Sequence, residues 1–342
     1  MAVVKHLIAD EFGTHVGKYS ERLCVTRQKE KLAQAPLLHL ESVLVTSRGV
    51  SVSADAFEAC CERGIPVFFI DSLGKPFASV YSAGLTGTTL TRREQLLAYY
   101  DRRSVHVALT VAAGKIENQA ATLKYMAKSR KESDPAAHEE LQLCALEVRD
   151  SLAILNELAD AERVDDIRQT LMNAEAQAAI RYWAAIRAII PAEYEWHTRE
   201  GRGATDPINS LLNYGYGILY GQIERAIVLA GLDPYAGFIH ADRPGKPSLV
   251  LDLIEEFRQI AVDRVVFGLA NRRYTIRQDK RGRLEQDTRR DYAEKILDRL
   301  ETQVPYEGKR HVLRAVIQSQ ARHLATFLRG DRDAYEPFRA QW

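Results

Sequence analysis

The chain has 342 residues, of which 46% are hydrophobic and 27% are charged, and its formal net charge is +1. This composition is ordinary for a globular protein with two domains, and it excludes a chain coated with basic residues. No apolar run approaches the roughly 20 residues of a membrane-spanning helix. The four cysteines lack metal-finger spacing and the density of a disulfide scaffold, so we expect a cytoplasmic protein without a membrane partner.

The first ninety residues contain short segments that are rich in branched and aromatic side chains and are separated by turn signals. Such segments predict strands. The predicted strands cover residues 6–8, 14–19, 22–26, 42–45, 65–70 and 77–81. A helix is predicted over residues 53–62, and a hairpin turn at 71–74. We therefore predict a small β-rich domain over residues 1–89.

A Gly/Thr-rich link at residues 84–89 precedes a change to the hydrophobic period of long helices. The predicted helical segments cover residues 90–131, 136–160, 165–190 and 207–231. The expected fold class is α+β, with the small β-rich domain followed by a larger all-helical domain over residues 90–342. The segment after Asp331 is predicted to be frayed.

Charged residues interrupt a segment that is otherwise apolar. Residues 249–269 have apolar side chains on almost every face of a helix, yet Asp252, Glu255 and Arg258 recur on one side. A buried carboxylate is costly unless a cation or hydrogen bonds compensate it. One interpretation is a divalent metal held by Glu255, by His240 on the preceding loop and by another acid. The other is an internal ion pair between Glu255 and Arg258, with His240 as an ordinary interior histidine.

Two further patterns can be read as nucleic-acid contacts or as ordinary structure. Asn209, Asn213, Tyr216 and Tyr220 form one stripe of a helix, which either lines a groove or packs internally. Arginines and lysines are dense over residues 272–283, which suits phosphate contacts but is also typical of a solvated loop.

Four ordered blocks resemble a known family. They are Asn173-Ala174-Glu175 with Tyr182 and Trp183; Asp206-Pro207-Ile208-Asn209; Gly231-Leu232-Asp233-Pro234 leading to Gly237-Phe238-Ile239-His240; and Ser248-Leu249 with Asp252-Leu253-Ile254-Glu255. A weaker resemblance to the same family lies in Lys115-Ile116-Glu117-Asn118-Gln119. Each block alone is a weak motif, but the ordered set is specific. The chain resembles the CRISPR-associated endonucleases of family one, the integrase subunit of the spacer-acquisition machinery.

This resemblance implies a catalytic set and a cofactor. The implied catalytic residues and metal ligands are Glu175, His240 and Glu255, with Asp252 as an auxiliary acid, in the larger, helical catalytic domain. One imidazole and two carboxylates suit Mg²⁺ or Mn²⁺. The implied activity is that of a metal-dependent DNA endonuclease and integrase, which inserts short duplex fragments into a CRISPR array through attack of a 3′-hydroxyl on a phosphodiester.

The expected partners are duplex and branched DNA, a second copy of the chain joined through the β-rich domain, and a small ferredoxin-like CRISPR-associated protein of family two. The candidate DNA-binding residues lie on the helix before His240, in the loop after it, and in the core and basic segments that follow. They are Asn209, Tyr220, Arg243, Lys246, Arg258, Arg272, Arg273 and Arg277.

Two alternative functions remain open. One is a DNA-capture or scaffold subunit with little catalytic activity, and the other is a branched-DNA nuclease without integration. A hydrolase of small phosphate esters is disfavoured, because the sequence has no glycine-rich phosphate loop.

Overall fold

The computed structural model describes residues 4–28, 30–82, 88–201 and 203–341. The chain divides into two compact units. The first contains residues 1–85, 201–221 and 275–298, and the second contains residues 86–200, 222–274 and 299–342. The predicted α+β class is confirmed, because a strand-rich N-terminal region precedes a mostly helical one. A domain boundary at residue 89 stays a prediction, and most of the link at 84–89 lies outside the described residues.

Eight strands are described in the N-terminal region. In chain order they are β1 (His6–Ala9), β2 (His15–Tyr19), β3 (Arg22–Arg27), β4 (Glu30–Pro36), β5 (Ser42–Val45), β6 (Ser51–Val52), β7 (Val67–Ile70) and β8 (Pro76–Val80). The six predicted strands are present, with ends shifted by up to two residues. The sequence pattern did not predict β4, whose first residues are charged and exposed, or β6, which has only two residues.

The strands form two four-stranded sheets within the first unit. One sheet has the order β1-β5-β7-β8, in which the first three strands are parallel and β8 is antiparallel to β7. The other has the order β4-β3-β2-β6. Helix α1 (Ala54–Glu62) occupies the predicted position. Side chains from both sheets and from α1, among them Leu7, Leu23, Val43 and Ala59, share one hydrophobic core.

The predicted hairpin turn at residues 71–74 is confirmed, and it joins β7 to β8. One carboxylate oxygen of Asp71 accepts hydrogen bonds from the backbone N–H groups of Leu73 and Lys75, each at 2.9 Å. Gly74 has φ +80° and lies against the helix α6 (Pro207–Leu229). A Cβ on Gly217 would lie 1.5 Å from the carbonyl oxygen of Gly74, so this contact within the first unit requires glycine.

Helices dominate the remaining chain. They are α2 (Thr88–Ala98), α3 (Arg102–Lys128), α4 (Pro135–Glu157), α5 (Val164–Ile189), α6, α7 (Ser248–Leu253), α8 (Arg264–Asn271), α9 (Gln286–Leu300) and α10 (Leu313–Leu328). A hairpin of β9 (Gln303–Tyr306) and β10 (Lys309–Val312) is an addition to the expected all-helical region. Across the described residues, no helix combines the length and the apolarity that crossing a membrane requires.

The prediction of one helical segment over residues 90–131 is wrong in one respect, because the segment forms two helices, α2 and α3. A turn at Tyr99 and Tyr100 separates them. Asp101 then caps α3, since its carboxylate accepts a hydrogen bond from the backbone N–H of Arg103 at 2.9 Å. The hydrophobic period continues through the turn, which is why the sequence pattern did not show the break.

The core helix predicted over residues 249–269 is buried as expected but is not continuous. After α7 the chain forms a 3₁₀ turn at Ile254–Glu256 and then a π-helical turn at Gln259–Asp263 before α8 begins. The Ile260 carbonyl oxygen within the π turn accepts a hydrogen bond from Nε of Arg299 at 2.8 Å. Such departures from α-helical geometry often occur at functional sites.

The C-terminal segment is packed into the second unit, so the prediction that it frays is wrong. Tyr335 and Phe338 are 0% and 1% exposed. The Tyr335 hydroxyl and the Phe338 backbone N–H donate hydrogen bonds to the two carboxylate oxygens of Glu256, at 2.6 and 2.9 Å. Gln320 donates a third bond at 3.0 Å. Two buried aromatic side chains and these bonds outweigh the conformational entropy that is lost when this segment is ordered.

Burial raises the pKa of Glu256 to about 7 from its ordinary value of 4.5, against the opposing effect of its hydrogen bonds. A carboxyl group with a raised pKa stabilises the fold at low pH and loses that contribution as the pH rises through about 7. We predict that Glu256→Gln matches the wild type near pH 5 and exceeds it near pH 8 by up to about 3 kcal/mol in the free energy of unfolding.

Denaturant unfolding at both pH values measures this difference. Glu256→Ala serves as the contrast, because it leaves three hydrogen-bond donors without an acceptor. Its free energy of unfolding should fall by about 2–4 kcal/mol at either pH. A Glu256→Gln protein that is less stable than the wild type at pH 8 would contradict the prediction.

Candidate metal centre

Three elements of the second unit carry the central residues of the site. Glu175 lies on α5 and is only 8% exposed. Its neighbours on the buried face include Ala178 and Tyr182. Glu255 is 4% exposed and lies in the 3₁₀ turn. Helix α3 packs against both α5 and this turn, and it carries Lys115 between them.

A cluster of two positive and two negative side chains results. Nζ of Lys115 lies 3.5 Å from Oε1 of Glu175 and 3.1 Å from Oε2 of Glu255. A guanidinium nitrogen of Arg258 lies 3.2 Å from Oε1 of Glu255. The two carboxylates, which are 80 residues apart in sequence (255 − 175), are thus joined through one ammonium group.

The charges of the cluster shift one another's pKa values. Burial is the largest influence on Glu175 and raises its pKa, because Lys115 offsets the burial only in part and Glu255 adds a like charge. Burial acts on Glu255 in the same direction, but Arg258 and Lys115 outweigh it and lower the pKa. The pKa of Lys115 is raised, since attraction to both carboxylates outweighs its own burial. His240 also acts on both carboxylates electrostatically.

His240 is held by Asp252, which is fully buried on α7. Nδ1 of His240 lies 2.7 Å from Oδ1 of Asp252. The same carboxylate accepts the backbone N–H groups of Phe238, Ile239 and His240 at 2.6, 3.1 and 3.1 Å. Because Nδ1 is hydrogen-bonded to Asp252, Nε2 is the ring nitrogen that remains available to bind a ligand. Asp252 therefore shapes the whole loop that presents His240.

Gly237 permits this loop to lie close to α7. Its N–H donates to the hydroxyl of Ser248 at 2.9 Å. A Cβ at this position would lie 2.6 Å from the carbonyl carbon of Ser248 and 2.8 Å from Oδ2 of Asp252. Any larger residue would push the loop away from Asp252.

The donor atoms fit a hard divalent cation, although the site is not a preformed cage. Apart from the ammonium of Lys115, Oε1 of Glu175 and Oε2 of Glu255 have no hydrogen-bond donor among the described residues. Two such oxygens and one imidazole nitrogen are ligands that Mg²⁺ and Mn²⁺ accept. Among the described residues, however, no three potential ligand side chains are grouped closely enough to hold a metal ion. The ammonium of Lys115 takes the place between the carboxylates.

Of the two interpretations of the acidic segment, the contacts show the internal ion pair between Glu255 and Arg258. A metal held by Glu255, His240 and another acid stays a prediction, although Glu255 and Glu175 contact the same ammonium group. In the sequence, Lys115 is recognised only as part of a weak motif, and no role is predicted for it. The signal that could have found it is its position in line with buried residues of α3, namely Val111, Ala112 and Gln119.

The candidate DNA-binding residues have different environments. Tyr220 is partly exposed on α6, whereas Asn209 is 1% exposed and its side-chain amide donates to Asp206. The others lie in the loop after His240, beside Glu255, and at or beyond the end of α8, where Arg273 pairs with Glu193. They are Arg243, Lys246, Arg258, Arg272, Arg273 and Arg277, and all are at least partly exposed. Their contact with DNA stays a prediction.

A basic cleft lies within the first unit. It encloses about 800 Å³ and is bordered by the chain after β5, the turn between β7 and β8, and residues around the start of α9. Its lining includes Arg48, Arg281, Arg283 and Arg289. Four guanidinium groups in one cleft favour a polyanionic ligand.

Sequence comparison with known proteins finds relatives of one family. Residues 7–297 match the family model of the CRISPR associated protein Cas1. The CRISPR-associated endonuclease Cas1 1 of Archaeoglobus fulgidus is 38% identical over 98% of this chain and 99% of its own.

Among solved structures, a casposase bound to integration product has a TM-score of 0.80 at 22% identity, over 97% of this chain and 93% of that chain. A Cas6-RT-Cas1–Cas2 complex contains a chain with a TM-score of 0.76 at 20% identity, over 98% of this chain and 36% of that chain. At this level of identity the two structures show a shared fold.

We predict that Asp252→Ala lowers the free energy of unfolding by about 3–5 kcal/mol, because three buried N–H groups and His240 lose their acceptor. Chemical denaturation measures the loss, and Asp150→Ala, a change at an exposed aspartate of α4, serves as the control. A stability equal to that of the control variant would show that Asp252 does not organise the loop.

Proposed function

Because this chain belongs to the Cas1 family of CRISPR-associated endonucleases, we propose that it is a metal-dependent DNA endonuclease and integrase of CRISPR adaptation. One observation supports this assignment more than any other. The buried carboxylates of Glu175 and Glu255 meet at one ammonium group, since Nζ of Lys115 lies 3.5 Å from Oε1 of Glu175 and 3.1 Å from Oε2 of Glu255. Two buried acids at one point can supply oxygen ligands to a divalent cation, and Lys115 and Arg258 compensate their charge when no metal is bound.

We assign the metal ligands to Glu175, His240 and Glu255, with Mg²⁺ or Mn²⁺ as the cofactor. The bound ion would supply Lewis-acid chemistry at a phosphodiester oxygen. Asp252 would keep the imidazole of His240 in one orientation through Nδ1, so that Nε2 faces the site. The carboxylates would contribute the negative charge that selects a divalent cation.

The proposed integration reaction exchanges one phosphodiester bond for another. The 3′-hydroxyl oxygen of a DNA fragment attacks a phosphorus atom of the CRISPR array and forms a new P–O bond. The original P–O bond breaks, its oxygen leaves as a 3′-hydroxyl on the cut strand, and the attacking hydroxyl gives up its proton. Attack by water on the same phosphorus would give simple cleavage.

Basic side chains would hold DNA through contacts with its phosphates. The arginine-lined cleft of the first unit suits a DNA backbone, and Arg243 and Lys246 follow His240 directly. Tyr220 is partly exposed on α6 and could stack on a base or bind a phosphate. These contacts would recognise duplex or branched DNA with little dependence on sequence.

The expected partners are a second copy of the chain and the small CRISPR-associated protein of family two. A structurally similar chain occurs in a complex that contains Cas2, and another similar structure is a casposase with its integration product. For dimerisation we propose the N-terminal region. It exposes several large apolar side chains, which include Phe12, Tyr19, Leu38 and Phe77.

A DNA-capture subunit with little catalytic activity is the second candidate function. The observation that favours it is the ammonium of Lys115 between the two carboxylates, where a metal would bind. A nuclease without integration would share the same site and differ only in the nucleophile.

We predict that Glu175→Gln, His240→Ala and Glu255→Gln each reduce Mn²⁺-dependent cleavage and strand transfer by roughly 100-fold or more, because each removes a ligand. Nicking and joining assays on labelled DNA measure the loss. Glu157→Gln, an exposed change on α4, should retain full activity. Wild-type rates in a folded Glu255→Gln protein would refute the ligand assignment and favour the capture subunit.

A second prediction concerns the nucleophile. Together with its family-two partner, the protein should join fragments with free 3′-hydroxyl ends to a plasmid that carries CRISPR repeats. Dideoxy-terminated fragments of the same sequence should not be joined, because the attacking oxygen is missing. Equal joining of both fragments would exclude the proposed transesterification, whereas cleavage without any joining would support the nuclease alternative.

A further inference from the structure

We propose that Lys115 is a built-in counter-ion that holds the place of the metal between Glu175 and Glu255, so that a divalent cation binds only as the ammonium group moves out. The inference rests on the proposed function, because it concerns the same carboxylates. It assigns Lys115 a positioning role in the metal-free protein and a competing role during metal binding.

The charge balance of the cluster is the first argument. Lys115 and Arg258 carry two positive charges, and Glu175 and Glu255 carry two negative charges, at the distances given above. All four side chains are less than a third exposed, and the two carboxylates are at most 10% exposed. Without Lys115 the metal-free site would hold one uncompensated buried negative charge, which is strongly destabilising.

The geometry of the contacts is the second argument. Oε1 of Glu175 and Oε2 of Glu255 are the oxygens that pair with Nζ of Lys115, and among the described residues neither has a further hydrogen-bond donor. One ammonium group is therefore the shared partner of both oxygens. Its displacement would free both oxygens for metal coordination without breaking a wider hydrogen-bond network.

The position of Lys115 on its helix is the third argument. Its side chain is 18% exposed and extends from the face of α3 that also carries Val111, Ala112 and Gln119. The flexible four-carbon chain of a lysine allows the ammonium to move while the helix stays in place. With both a divalent cation and the ammonium present, the site would carry two excess positive charges, so the two exclude each other.

Metal affinity and thermal stability of the full-length protein test the proposal. Lys115→Met keeps the length of the side chain and removes its charge. In EDTA its melting temperature should fall by roughly 5 °C or more, because the buried negative charge is uncompensated. In calorimetric titration with MnCl₂, the variant should bind at least about tenfold more tightly than the wild type, because no cation competes. Manganese should also restore its melting temperature.

Lys128→Met is the matched control, because it makes the same change at an exposed position of the same helix. It should alter neither the melting temperature nor the affinity for Mn²⁺. The double variant Lys115→Met/Glu175→Gln leaves the balanced pair of Arg258 and Glu255. It should recover most of the melting temperature that Lys115→Met loses in EDTA, and it keeps the proposal testable if the single variant folds poorly.

The outcomes separate this inference from the proposed function. Tighter Mn²⁺ binding by Lys115→Met supports the inference, even if the wild type binds too weakly to measure. Equal or weaker binding by the variant overturns the inference, while Mn²⁺ binding by the wild type leaves the metal-dependent function in place. If neither protein binds Mn²⁺ or Mg²⁺, the inference and the metal-dependent function both fail. Failure of the double variant to recover stability would also overturn the counter-ion role.

Discussion

The mutual neutralisation of Lys115, Glu175, Glu255 and Arg258 is the interaction on which the second unit depends. It brings α3, α5 and the turn after α7 to one point, and each contributes charge that it could not bury alone. A core of apolar residues would give similar or greater stability. The charged cluster instead places the carboxylates of Glu175 and Glu255 at one ammonium group, which under the proposed function exchanges with a divalent cation.

Consecutive glutamates at the 3₁₀ turn explain why the acidic segment is not one regular helix. Glu255 faces the charged cluster, whereas Glu256 accepts three hydrogen bonds from the C-terminal region and from α10. Asn118 on α3 strengthens this arrangement, since its side-chain amide donates to the carbonyl oxygens of Glu256 and Phe338. The turn is thus fixed on two sides, and the position of Glu255 depends on contacts of Glu256 with residues 79 and 82 positions further along the chain.

Sequence patterns predicted the α+β class and most element positions, because hydrophobic period and turn chemistry are local properties. The capped start at Asp101 and the π turn at Gln259–Asp263 were not found, since the apolar period runs through both. The buried C-terminal segment was also missed, because its hydrogen bonds to Glu256 depend on tertiary packing. Ordered motifs predicted Glu175, His240 and Glu255 as the site, a set that stays a prediction. No local signal connected Lys115 to residues 60 and 140 positions away (175 − 115 and 255 − 115).

In the proposed exchange, either one divalent cation or the ammonium of Lys115 lies between Glu175 and Glu255. Crystals soaked in MnCl₂ and measured at the manganese absorption edge test it directly. We expect one anomalous peak within bonding distance of both carboxylates and of Nε2 of His240, with Nζ of Lys115 displaced from its contact with Glu255. An anomalous peak elsewhere, or an ammonium still bridging the two carboxylates in a catalytically active crystal, would contradict it.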